Sequence, residues 1–184
     1  MKPMFKYLLI AGLFSTSAAI AAVKFPSNLN WKMMPQVSYN FPVKTGTPEL
    51  RATSDSIWKS KIPKETAAFV LLSSVETKEN QYIFTMLDST FAGCVPPPNG
   101  DGTDTAMPLY STCSMRVIQK NKITKKTTTQ EIKDFCYLSL NYDPEELAKN
   151  HTKFAFDSKT NTAYFKTIMY GKHARECDRE IRLK

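Results

Sequence analysis

The sequence predicts a single compact domain of the α+β class, dominated by antiparallel strands and hairpins, with one or two short helices and two disulfides as staples. Three observations carry that expectation. Short apolar runs alternate with polar turns from residue 67 onward, one segment has the full grammar of a capped helix, and cysteines stand at positions 94, 113, 136 and 177.

The chain opens with Lys2 and Lys6, an apolar stretch from Tyr7 to Phe14 and a small-residue run from Ser15 to Ala22. Charged, apolar and small in that order is the pattern of a cleavable export signal, assigned to residues 1–22. The triplet Ala19-Ile20-Ala21 sets the cut before Ala22 or before Val23. The apolar stretch falls short of the roughly 20 residues a membrane span needs, and no second run of that length follows. No membrane anchor is therefore expected after cleavage, and the expected location is the periplasm or the cell exterior. The short, Ala-rich signal has a bacterial character. The remainder is long enough for one domain with its own core. Loss of Lys2 and Lys6 lowers the net charge of +8 by two, leaving a moderately basic protein.

In an oxidising compartment four cysteines read as two disulfides, and three pairings are open. The expected pairing is Cys94–Cys113 with Cys136–Cys177. The first closes a Pro/Gly-rich stretch with no hydrophobic period, which stabilises by about 3 kcal/mol through loop entropy. The second ties the C-terminal tail to the body. His173 and Cys177 stand four apart and would share a helical face as zinc ligands, but the other cysteines lack the paired spacing of a zinc site, so no metal is expected.

Residues 23–48 contain prolines, asparagines and isolated aromatics (Phe25, Trp31, Tyr39, Phe41) without a sustained period. They read as an extended arm laid on a body of residues 49–184, with an edge strand as one outcome. Ser54-Asp55-Ser56-Ile57-Trp58 suggests a helical turn capped by Ser54 or Asp55. Ala67 to Leu72 is apolar throughout, so periodicity cannot separate buried strand from short helix. The polar break at 76–80 and the run Tyr82 to Leu87 favour a hairpin. Ser114 to Gln119 alternates as a strand and returns through Lys120-Asn121-Lys122-Ile123-Thr124-Lys125-Lys126 toward Phe135 to Leu140, with the lysines expected to shield a strand edge. Asp143-Pro144-Glu145-Glu146-Leu147-Ala148-Lys149 has a capping acid, Pro at the first helical position, acids first and Lys last, the clearest helix signal in the chain. Phe154 to Phe156, the turn 157–161 and Tyr164 to Tyr170 form the clearest hairpin, and the mixed-charge tail from His173 reads as solvated around Cys177.

The chain carries no phosphate-cradling loop, dinucleotide fingerprint, nucleophile elbow or zinc-protease helix, and no cofactor is expected. The Lys-rich run has no interleaved aromatics, so no nucleic acid is expected as partner. Glu145 and Glu146 diverge by about 100° on a helix and meet its dipole rather than a substrate. Asn99, Asp101 and Asp104 offer oxygens at spacings a calcium ion would use, without the later bidentate acid. The same segment, with Pro97, Pro98, Asn99, Asp101 and Asp104 as candidate binding residues, forms a preorganised protrusion if a disulfide closes its base. The leading expectation is a non-enzymatic binding protein acting on another protein outside the cytoplasm, most concretely an inhibitor or immunity protein against a secreted toxin or cell-wall hydrolase. The alternatives are a small ribonuclease-like hydrolase using His151 and His173, the chain's two histidines, and a subunit of a secretion, conjugation or surface assembly.

Overall fold

In a computed structural model, residues 23–62, 64–89, 93–95, 110–138 and 143–183 are described. They form two antiparallel sheets. A five-stranded sheet has the order β2 (Gln36–Tyr39), β3 (Ala68–Glu76), β4 (Asn80–Asp88), β5 (Tyr110–Asn121) and β6 (Thr127–Leu138). A four-stranded sheet has the order β1 (Lys32–Met33), β7 (His151–Asp157), β8 (Thr162–Met169) and β9 (Lys172–Arg182). Two short helices, α1 (Pro48–Trp58) and α2 (Pro144–Lys149), complete the α+β architecture.

The layers follow from which residues share a core. Phe84, Met86, Met115, Phe135 and Tyr137 from the larger sheet meet Phe154, Ala163, Phe165 and Ile181 from the smaller one. Phe165 is the hub, with its ring centroid 5.5 Å from Phe84, 5.5 Å from Phe135 and 5.3 Å from Phe154. The opposite face of the five-stranded sheet buries Val37, Val70, Leu72, Ile83 and Leu87 under Trp58 of α1. The larger sheet is thus covered on both faces. That explains the unbroken apolar run before residue 72: Phe69 and Leu71 point into one core, Ala68, Val70 and Leu72 into the other.

The α1 cap differs from the sequence expectation. Thr47, not Ser54 or Asp55, is the N-cap and accepts from the Leu50 amide, with Pro48 in the first turn. Ser54 is buried inside the helix, and Asp55 accepts a 2.6 Å bond from the Tyr39 hydroxyl. Burial, with that bond second, pushes the Tyr39 phenol up to about 12. Gly46, with φ +85°, lets the chain pass Val37, where an added Cβ would stand 2.8 Å from Cγ2. Asp143 caps α2 as its sequence pattern requires, accepting from the Glu145 and Glu146 amides.

The tail also departs from expectation. Residues 172–182 form β9 on β8 rather than a solvated segment, because its Ala174, Cys177, Asp178 and Ile181 are buried while Lys172, Arg175, Glu176, Glu180 and Arg182 are exposed. The register with β8 jumps between Phe165 and Thr167, whose partners are Arg179 and Ala174, so residues 175–178 bulge outward. Both expected disulfides are present, Cys94–Cys113 and Cys136–Cys177, and the second fastens that bulge to β6 of the other sheet. They are consistent with an extracellular or periplasmic location. Among the described residues no helix is long and apolar enough to cross a membrane. The expected export signal, residues 1–22, lies outside the described residues.

Candidate functional site

The two ends of the segment between Cys94 and Cys113, which lies between β4 and β5, meet at one place. Val95 donates to the Thr112 carbonyl at 2.8 Å and Thr112 returns a bond to Val95 at 3.0 Å, one residue inside the Cys94–Cys113 disulfide. Both sulfurs sit in the main core, and Val95 is mostly exposed. The segment's root is therefore fixed both covalently and by a two-bond bridge. The candidate residues Pro97, Pro98, Asn99, Asp101 and Asp104 lie outside the described residues, as does the calcium-like spacing. The Asp88 carboxylate lies beside both sulfurs, but a disulfide withdraws them from metal ligation.

Beside the root, Tyr110 packs with Met169, Ala174 and the Cys136–Cys177 bridge in a third apolar cluster. Burial and the nearby Glu176 charge raise its phenol pKa. Met169, Tyr170, Lys172, His173, Ala174 and Glu176 line an open cleft of about 450 Å³ at the β8–β9 hairpin. Here the β9 bulge folds Asp178 back onto His173, with 2.6 Å between Oδ1 and Nε2. Asp178 is buried while His173 keeps an exposed edge. Burial raises the Asp178 pKa, and the bond from His173 with the charges of Lys166 and Arg175 opposes that rise. Phe25, from the arm, stacks on the His173 ring and meets Trp31 and Tyr164 edge-on. Lys166 sits over Trp31 at 4.1 Å, and its pKa is lowered by burial and by Lys153 directly across the strand pair.

The two histidines are not brought into contact. Each is opposite Ile168, from the two strands flanking β8, which sets their backbones about 10 Å apart. His151 is buried. Its Nδ1 lies 2.9 Å from the Leu147 carbonyl at the end of α2, its Nε2 has no hydrogen-bond partner among the described residues, and burial lowers its pKa. The zinc alternative also fails on geometry, since His173 and Cys177 lie on a strand and Cys177 is in a disulfide. The His173–Asp178 contact was not legible in the sequence. A spacing of five residues matches neither a helical face nor a regular strand, and it closes only through the bulge. The chain matches no family model, no curated protein and no solved structure.

Proposed function

We propose that this is an exported, non-enzymatic binding protein whose recognition element is the segment between Cys94 and Cys113, with the adjoining cleft at His173 as part of the same surface. The observation that supports it is the double fastening of the segment's root by a buried disulfide and the Val95–Thr112 bridge. A segment held at both ends on a two-sheet scaffold loses less entropy on binding than a free one, so more of its contact energy appears as affinity. Its partner is another protein of the periplasm or cell exterior, most concretely a secreted toxin or cell-wall hydrolase whose active site the segment enters. The basic net charge of +8 for the whole chain favours an acidic partner surface.

The test compares the disulfide-bonded protein with a variant in which residues 96–109 become a Gly/Ser linker, both in partner capture and in inhibition of the captured hydrolase. Capture and inhibition that vanish with the linker support the reading. Unchanged recovery removes the segment from the account. Loss on His173→Ala with the segment intact would move the recognition centre into the cleft.

A further inference from the structure

Four strand edges bound the two sheets, and three of them are protected. β1 is two residues long and β2 is four. β9 carries Lys172, Arg175, Glu176, Arg179, Glu180 and Arg182 along an edge broken by its bulge. The fourth, β6, is protected over only half its length. Its second half is covered where Arg179 donates to the Asp134 carbonyl at 2.7 Å and Cys177 bonds Cys136. At the same point β6 itself bulges, with Asp134 at φ 63°. Among the described residues nothing of this kind covers the first half, residues 127–132. Thr127 to Glu131 are exposed, Glu131 is the one charge and is paired with Arg116 at 2.9 Å, and three consecutive threonines favour extended backbone. The lysines expected to shield this edge sit elsewhere: Lys122, Lys125 and Lys126 lie in or beside the turn, and Lys120 is on the inner strand β5.

We propose that residues 127–132 of β6 are a self-association surface, pairing antiparallel with the same segment of a second copy of this chain to join two five-stranded sheets. Among the registers centred on Thr129, Gln130 and Glu131, at the middle of the segment, charge favours one. In an antiparallel pair, opposed residues turn their free backbone groups either toward each other or away together, so a two-fold pairing of one strand with itself is centred on a residue. Centring on Thr129 carries Lys125, in the turn before β6, toward Lys133, and centring on Glu131 places two Glu131 carboxylates opposite each other. Centring on Gln130 sets Thr129 against Glu131, Thr128 against Ile132 and Thr127 against Lys133, with no like charges opposed. This register also keeps the shared edge away from the Val95–Thr112 bridge, which lies toward the other end of β5.

The experiment is sedimentation velocity on the disulfide-bonded protein across a concentration series, with Gln130→Lys, Gln130→Glu and an equimolar mixture of the two. Gln130 is exposed and outside the core, and far-UV circular dichroism confirms that each variant keeps its sheets. The wild type forms a dimer. Each variant alone opposes like charges on the two-fold axis and weakens the dimer at least about tenfold, and the mixture restores it by opposing Lys to Glu. A monomer throughout the series overturns the proposal, whether or not β6 then accepts a strand from another protein. A dimer that persists in Gln130→Lys, or that mixing does not restore, overturns it as well.

Discussion

Removal of the Cys136–Cys177 bridge tests the idea that the β9 bulge is fastened to β6 chiefly by a covalent tie. The bridge spans 41 residues, and closing a loop of that size removes chain entropy from the unfolded state worth about 4 kcal/mol at 25 °C. The same relation gives about 3 kcal/mol for the 19 residues spanned by Cys94–Cys113. Cys136→Ala with Cys177→Ala leaves the small third cluster, with Ala174, Tyr110 and Met169, and the bond from Arg179 to the Asp134 carbonyl to hold the bulge against β6. Equilibrium urea unfolding without reductant should show the double variant less stable by about 4 kcal/mol, and its Tm lower by about 8 to 16 °C. A loss below about 1 kcal/mol would refute the reasoning. It would mean either that the unfolded chain is already compact across this span or that the contacts around Ala174 and the bond from Arg179 hold the bulge against β6 unaided.

Phe165→Ala removes the hub ring between the sheets, and denaturant unfolding should show a loss of about 3 to 5 kcal/mol. Thr47→Ala, which leaves the Leu50 amide without its side-chain acceptor, should cost about 1 kcal/mol, measured the same way. His151 has a folded pKa below its ordinary 6.5, so the folded state binds fewer protons. The stability this group contributes is present above 6.5 and lost as pH falls toward the folded value, and His151→Gln should flatten that part of the stability–pH curve. Asp178 has the opposite sign among acids, with a folded pKa above 3.8. Stability should therefore fall as pH rises from 3.8 through the folded value, and Asp178→Asn should remove that slope in the same titration.

Strands bounded by polar turns were legible wherever one residue type changed sharply to another, as in the β7–β8 hairpin around 157–161 and in α2 with its Asp143 cap. The α1 cap was misplaced because Ser54 and Asp55 are strong capping residues by type. Their use inside the helix depends on contacts from β2 and the sheet behind it, which local pattern does not report. β9 was hidden because an edge strand with a four-residue bulge loses the alternation by which strands are recognised. The His173–Asp178 contact was hidden for the same reason.

What the sequence by itself determined about this protein is its class and its covalent framework. Residue type decides where turns and caps form, and four cysteines in a strand-rich chain of this length leave few economical pairings. Only the tertiary structure decided which faces are buried, since the run through Ala68 to Leu72 is apolar because two separate layers cover it. It also decided which edges stay open. Whether a threonine on β6 meets water, a neighbouring strand or a disulfide is set by how far β9 reaches across the sheet, a distance no local stretch of sequence encodes.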